Sequence, residues 1–243
     1  ARSLHLYAGA LGLAEQARAD TQVRLSAAHV RLAGYTELPS PAGGFSNNQL
    51  GALLSSREEA AQLRVDAGLL DVRNTLKFGS GASAAPQNDR RGFHQVQLNS
   101  TGDLRLLKTV GGTDTRLSAP GRLDLTAAQV YPGTHAVAVI QAEQVKIARS
   151  TSATPGQPYS LFGTLSILAQ RIDQQGVVRA PLGALTLGNA ATRELNLRPG
   201  SLTSVSAAGL VMPYGGTVDG LVYAPAPGVA PSAVRASDGF DVD

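Results

Sequence analysis

The chain has 243 residues, of which 43% are hydrophobic and 5% aromatic, and it contains neither Trp nor Cys. Its formal net charge is +3, and its basic residues are scattered instead of forming the stripe with interleaved aromatics that is typical of nucleic-acid-binding proteins. The composition therefore argues against a nucleic-acid partner, and the absence of Cys argues against a small disulfide-stabilised domain. No apolar run approaches the roughly 20 residues of a membrane-spanning helix, so we expect no membrane insertion.

A short pattern recurs along the chain: apolar-x-apolar, a turn of small residues, and apolar-x-apolar again. Alternation with a period of two predicts strands with one buried face, and the interruptions rich in Ala, Gly, Ser and Pro predict tight corners. Pairs of strands this short bury little unless further copies stack above and below them. The copies span residues 23–32, 63–72, 96–106, 117–125, 139–147, 165–172, 178–187 and 195–205.

Stacked copies of this kind predict an all-β fold, a right-handed parallel β-helix over residues 1–223. The alternative is a β-sandwich of antiparallel strands, which favours Asn-Gly or Asp-Gly hairpin turns. Such dipeptides occur only near the end of the chain, at Asp219-Gly220 and Asp238-Gly239. The pattern therefore favours the solenoid.

Spacing between the copies predicts the coil length and the insertions. The most compact spacings, Leu98 to Leu117 and Val178 to Leu197, indicate a coil of about 19 residues. Residues 34–62 form a longer insertion, whose second half is rich in Ala, Leu and Glu and is predicted to form a short helix. The insertion at 79–95 begins with a stretch rich in Gly, Ser, Ala and Pro and is predicted to be a mobile loop, and 224–243 is a Pro/Ala-rich linker or tail.

Charged residues recur at one position of the pattern, the middle of the second strand of each copy. Since its two neighbours are apolar and point inward, this residue points outward. If successive copies are successive coils, charges of alternating sign lie about 4.8 Å apart on an exposed ladder and help to set the register. The alternative is that solvent-facing strand positions are often charged and the signs alternate by chance. The predicted ladder consists of Arg31, Asp71, Arg105, Asp124 and Lys146.

Residues that could support catalysis or bind a metal are dispersed. A polysaccharide lyase or hydrolase needs carboxylates clustered on one face, whereas Asp66, Asp103 and Asp173 are far apart in the pattern. The serines near residue 204 lack a nucleophile-elbow frame. The four histidines have no partner at metal-ligand spacing: His5, His29, His94 and His135. We therefore predict a protein that is not an enzyme and uses no cofactor or metal.

The run from Ile172 to Tyr223 resembles the filamentous haemagglutinin family, large exoproteins exported by two-partner secretion in Gram-negative bacteria. The resemblance covers the β-helix corners and strands of that family, and the stretch from Gly200 to Gly220 is similar to a block toward the C-terminal part of some members. The matching residues are Gln174 or Gln175, Gly176, Ala180, Pro181, Gly183 and Leu185–Leu187. The Asn-Pro-Asn motifs of the family's secretion domain are absent. The opening Ala1–Leu4 is unlike a signal peptide, so we expect an internal fragment.

The resemblance implies a secreted module on the bacterial cell surface. Its expected partners are a host or bacterial cell-surface glycan or protein, and an outer-membrane transporter during export of the parent chain. We expect it to act in adhesion, with the two insertions as the contact surface, because loops that project from a regular scaffold often carry binding sites. The candidate binding residues are Asn47, Asn48, Arg57, Arg90, Arg91, Phe93 and His94.

Two other functions are compatible with the fold. The chain could be a passive stalk that displays a C-terminal effector domain in a contact-dependent system. A weaker alternative is a carbohydrate-active enzyme, since such enzymes also use β-helices. Fold alone does not separate these functions, because function depends on the sites that a fold carries.

Overall fold

A computed structural model describes residues 2–8, 11, 20–34, 61–78, 92–108, 114–210, 216–218 and 222–224. These residues form strands and turns and contain no helix, so none of them forms a helix that could cross a membrane. The all-β prediction is confirmed. The strands are β1 (Ser3–Tyr7), β2 (Gln22–Ala33), β3 (Gln62–Arg73), β4 (Thr75–Lys77), β5 (Gln95–Ser100), β6 (Leu104–Leu106), β7 (Thr115–Ser118), β8 (Arg122–Ala127), β9 (Val130–Pro132), β10 (Val137–Gln141), β11 (Gln144–Arg149), β12 (Thr164–Leu168), β13 (Arg171–Gln174), β14 (Val177–Arg179), β15 (Ala184–Leu187), β16 (Glu194–Leu197), β17 (Leu202–Ser204), β18 (Gly216–Val218) and β19 (Val222–Ala224).

Strands β1 to β17 pair in parallel and form three ladders. The first ladder stacks the N-terminal halves of β2 and β3 with β5, β8, β11, β13 and β16. The second stacks β1, the C-terminal halves of β2 and β3, and then β6, β9, β14 and β17. The third stacks β4, β7, β10, β12 and β15. Because the chain visits the ladders in turn, its parallel strands form curled sheets consistent with a solenoid.

The core lies between the ladders and consists of stacked aliphatic side chains. Leu98, Leu125 and Ile147 are register neighbours on the first ladder, and each is fully buried. Alternate residues point to opposite faces of a strand, so the apolar alternation in the sequence becomes a continuous column of side chains. Val, Leu, Ile and Ala make up most of this core, with Phe78 and Phe93 as its buried Phe residues. The low aromatic content is therefore compatible with a narrow interior.

All eight copies of the sequence pattern coincide with strands, but they are not equivalent in the structure. Residues 96–106 span the first and second ladders, whereas 117–125 span the third and first. Leu98 stacks on Leu125, and Leu117 lies in a different ladder, so the predicted spacing of about 19 residues is not a full coil. The error has a physical cause: each coil has several corners, and all of them use small residues between apolar strands.

The corners depend on close backbone approach and on left-handed conformations. Two residues before three strands of the third ladder, His135, Phe162 and Leu182 occupy equivalent positions with φ of 54°, 60° and 52°. The rings of His135 and Phe162 are stacked, with centroids 5.2 Å apart. Gly183 follows Leu182, and a Cβ at this position would overlap the backbone oxygen of Gly163 in the neighbouring coil. Only Gly fits there without movement of the backbone.

Two sequence predictions concern parts of the chain that the structure describes only in small part or not at all. The predicted helix in the insertion 34–62 lies outside the described residues, apart from Gly34, Ala61 and Gln62. The predicted loop 79–95 also lies outside them apart from residues 92–95, and the predicted tail 224–243 apart from Ala224. Strands β18 and β19 pair with each other in antiparallel fashion.

Candidate functional site

A charged cluster is centred on Asp71 in the second ladder. Asp71 has no exposed surface and accepts hydrogen bonds from Arg105 Nε to its Oδ1 at 2.8 Å and from Arg105 Nη2 to its Oδ2 at 3.2 Å. His29 Nε2 lies 2.8 Å from Oδ2, and Arg31 Nη2 lies 3.9 Å from it. Burial raises the pKa of Asp71, but the hydrogen bonds and charge of Arg105, together with those of His29, outweigh it and lower the pKa below its usual value.

The register corrects the predicted five-member charge ladder. Arg31, Asp71 and Arg105 are indeed neighbours on the second ladder, but the next residue there is Tyr131. Asp124 and Lys146 are neighbours on the first ladder, so the five residues form two separate groups. The sequence pattern combined them because its copies start at different corners of the coil.

The two groups also differ in their surroundings. Asp71 is covered, contrary to the exposed position predicted for the ladder. Asp124 accepts two hydrogen bonds from Arg122 Nε, at 2.8 and 3.0 Å, and the side chains of Arg122 and Asp124 are 45% and 14% exposed, whereas that of Asp71 is fully buried. Exposed pairs of this kind contribute little to stability, whereas a buried carboxylate depends on its partners.

The described residues among the predicted binding set belong to the scaffold. Phe93 is 3% exposed and packs in the core, so the prediction that it contacts a ligand at the surface is wrong. In the sequence, an aromatic residue beside an insertion can lie in the core at the end of a strand as readily as it can lie on the surface. His94 is half-buried, and its carbonyl accepts a hydrogen bond from Arg122 N at 2.8 Å. The other predicted contacts lie outside the described residues: Asn47, Asn48, Arg57, Arg90 and Arg91.

Within the described range 114–210, one coil departs from the three-ladder pattern. Between β11 and β12 the chain contributes no strand to the second ladder, and β14 pairs directly with β9 through Val178 and Val130. The connection contains residues 151–160, hereafter the 151–160 segment, which includes Pro155, Gly156 and Pro158. An irregular segment on a regular scaffold is a common place for a binding site.

Arg179 attaches the 151–160 segment to the second ladder. Its Nη1 donates to Gly156 O at 2.6 Å, to Pro155 O at 3.1 Å and to Gln129 Oε1 at 3.2 Å. Val178, the preceding residue, points into the core, so Arg179 points to the outer face of the strand, yet its side chain is buried. Burial lowers the pKa of Arg179, the charge of Asp103 opposes that shift, and the charge of Arg149 adds to it. The segment is therefore held by a charge-assisted contact.

Two further contacts hold the same segment. Ser160 Oγ donates to Pro132 O at 2.5 Å. Gln157 Nε2 donates to Ser206 O at 3.1 Å and to Ala208 O at 3.3 Å, which connects the segment to the chain after β17. With Arg179, these bonds fix the segment at its middle and at its end. The conformation of the 151–160 segment is thus fixed without a ligand, which reduces the entropy cost of ordering the segment if a ligand binds there.

A cavity of about 490 Å³ lies between the 151–160 segment and the second ladder. Asp103 Oδ2 accepts hydrogen bonds from Tyr131 Oη at 3.1 Å and from Gln129 Nε2 at 3.2 Å. The ring of Tyr159 is mostly exposed, whereas Tyr131 is almost completely buried. The cavity is lined by Asp103, Gln129, Tyr131 and residues 155–160. A concave site of this size with a few convergent polar groups and aromatic rings is typical of ligand binding.

The cavity is not apparent from the sequence alone, although the sequence carries one signal for it. Pro155, Gly156 and Pro158 interrupt the alternation between Ile147 and Leu165, as turn residues do in a projecting loop. The partners Asp103, Gln129 and Arg179 could not be found in this way, because they approach the segment through the register of coils distant in sequence. Among the described residues, no group of His, Asp and Glu is placed to hold a metal ion.

The comparisons with known proteins add no assignment to this geometry. The chain matches no family model, no curated protein and no solved structure.

Proposed function

We propose that this chain is a structural and adhesive module of a large secreted bacterial exoprotein, built as a right-handed parallel β-helix. The observation that carries the proposal is the regular passage of the chain through three parallel ladders, interrupted by the 151–160 segment with its cavity. Regular coils supply a stiff scaffold, and departures from regularity supply surfaces that a partner can recognise. The resemblance of 172–223 to filamentous haemagglutinin exoproteins supports the same proposal.

Within this proposal the module attaches a bacterial surface to a glycan or protein on a host or neighbouring cell, and it binds without chemical conversion. The lining of the cavity contains one carboxylate among the described residues, Asp103. Hydrolysis of a glycoside generally uses two carboxyl groups, one on each side of the scissile bond. The site is therefore better suited to holding a ligand than to cleaving it.

The proposal is tested by measuring adhesion. Beads coated with the purified chain are applied to cultured epithelial cells, to Gram-negative bacteria, and to glycan and matrix-protein arrays. We expect selective binding to at least one surface. Two variants in which residues 35–60 or 79–91 are replaced by short Gly-Ser linkers test the contact surface expected from the sequence, and they leave β3 and β5 intact.

A folded chain that binds none of these surfaces would contradict the adhesive function and favour the passive stalk. Circular dichroism and a cooperative thermal transition establish folding for each variant. Beads coated with heat-unfolded chain are the control for non-specific attachment.

A further inference from the structure

We propose that the cavity under the 151–160 segment binds an uncharged oligosaccharide, with Tyr159 as the stacking surface and with Asp103 as a hydrogen-bond acceptor. The inference deepens the proposed adhesive function, on which it rests, by naming the site and the chemical class of its ligand. It differs from the contact surface expected from the sequence, because the 151–160 segment is separate in sequence from both insertions.

The carboxylate of Asp103 calls for a ligand that donates hydrogen bonds. Both hydrogen bonds that this carboxylate accepts, from Gln129 Nε2 and Tyr131 Oη, go to Oδ2. A hydroxyl group of a ligand in the cavity can therefore donate to Oδ1 of Asp103. Gln157 also lines the cavity, and its Nε2 holds the segment in place through two carbonyl groups.

The balance of charge around the cavity favours an uncharged ligand. Asp103 would repel an anionic sugar. Arg179 lies behind the lining, where Gln129 connects it to Asp103 by accepting from Arg179 Nη1 and donating to Asp103 Oδ2, and its positive charge partly offsets that of the carboxylate. A cationic sugar therefore gains less from Asp103 than it would from a carboxylate without a nearby Arg. A neutral polyhydroxyl compound satisfies the acceptors without carrying a charge into this field.

Tyr159 supplies the apolar part of sugar recognition. Its side chain is 68% exposed, whereas Phe78, Phe93 and Tyr131 are buried. It lies between Pro158 and Ser160, both buried, so the backbone on each side of the ring is fixed. An aromatic ring held in this way has an apolar face on which the C–H face of a pyranose can stack, beside groups that bind its hydroxyls.

The experiment measures the affinity of the full chain for tetrasaccharides of matched length by ligand-observed NMR titration. The neutral probes are cellotetraose, maltotetraose, galactotetraose and N-acetylchitotetraose, the cationic probe is chitotetraose, and the anionic probe is tetragalacturonate. We expect saturable binding of at least one neutral probe and at least about tenfold weaker binding of the charged probes.

Variants of Tyr159 and Asp103 locate the site. Tyr159→Ala should weaken binding of the neutral probe by about tenfold or more, whereas Tyr159→Phe should retain affinity within about twofold, because it keeps the ring. Asp103→Asn should also weaken binding, and Asp124→Asn on the first ladder is the matched control without effect. Since Tyr159 is exposed, its replacement should not change the thermal transition.

Three outcomes separate this inference from the adhesive function. Loss of sugar binding in Tyr159→Ala but not in Tyr159→Phe supports the inference. Adhesion to cells or arrays that persists in Tyr159→Ala and Asp103→Asn, without binding of any neutral probe, overturns the inference and leaves the adhesive function intact. Binding of a neutral probe in the cavity by a chain that adheres to no surface supports the inference and contradicts the adhesive function.

Discussion

Asp71 and Asp124 occupy the same kind of outward position in a strand, but their surroundings give them different roles. Asp71 is closed off from solvent by partners on both neighbouring strands, Arg31 and Arg105, and by His29. Asp124 is paired with Arg122, two residues earlier in its own strand, at the surface. The pKa of Asp71 is lowered despite burial, because its hydrogen bonds favour the ionised form.

Replacing Asp71 by Asn should destabilise the fold by about 3 kcal/mol at pH 7, because the half-buried Arg105 loses a counter-charge that is itself fully buried. Since the pKa of Asp71 is lower in the folded than in the unfolded chain, its contribution is present above about pH 5 and is lost as the pH falls through the folded-state value. The difference in unfolding free energy between the wild type and Asp71→Asn should therefore shrink between pH 7 and pH 3. Urea unfolding at both pH values measures it.

The matched control is Asp124→Asn, which should cost less than about 1 kcal/mol at pH 7. High salt should reduce the loss of stability in Asp124→Asn further. It should have little influence on the loss in Asp71→Asn, because screening acts mainly on exposed charges. Equal losses in the two variants would contradict the distinction between buried and exposed groups.

At the scale of the element, the corners limit which residues the coil tolerates. Strands alternate in the same way on all three ladders, but each corner has its own geometry. Gly183 meets the backbone of Gly163 in the neighbouring coil, and Ala184 N donates to Gly163 O at 3.1 Å. Gly156 in the 151–160 segment has open space where a Cβ would lie. Two glycines that look alike in sequence therefore have different requirements.

Gly183→Ala should destabilise the fold by about 2 kcal/mol or more, because the added methyl group forces two backbone segments apart. Gly156→Ala should change the unfolding free energy by less than about 0.5 kcal/mol, or raise it slightly by restricting the unfolded chain. Thermal and urea unfolding of both variants measure the difference. A tolerated methyl group at Gly183 would show that the coils can separate at this corner without loss.

At the scale of the whole molecule, burial depends on having coils on both sides. Leu98, Leu125, Ile147, Gln174 and Leu197 form one inward column on the first ladder. The first four are fully buried, whereas Leu197 in the last strand of the column is 59% exposed. Each coil covers its neighbour, so an identical inward position contributes less at the end of the stack.

Leu125→Ala should therefore cost about 3 kcal/mol, because it leaves a cavity between two coils. Leu197→Ala at the end of the same column should cost less than about 1 kcal/mol, since most of the side chain already contacts solvent. Urea unfolding monitored by circular dichroism compares the two losses. Similar losses would mean that another part of the chain covers Leu197 in solution.

Much of the fold could be predicted from the alternation of apolar residues. All eight copies of the pattern lie on strands, and the stacking in parallel follows from strands too short to bury a core alone. The candidate site was harder to predict. Phe93 was expected at the surface and lies in the core, whereas Tyr159, which is exposed beside the cavity, was not identified. An aromatic residue near a turn has the same local sequence pattern whether its side chain is buried in the core or exposed beside a cavity.

The sequence by itself determined most of the strands, though not, for example, β1, β4 or β9, and which of their apolar side chains point inward, because a period of two is a local property of the backbone. The tertiary structure decided which coil lies beside which. That choice joins Asp71 to Arg105, separates both from Asp124, and places Arg179 under the 151–160 segment. The physical reason is that parallel strands pair only after the chain has completed a coil of variable length, so the spacing along the sequence does not specify the register.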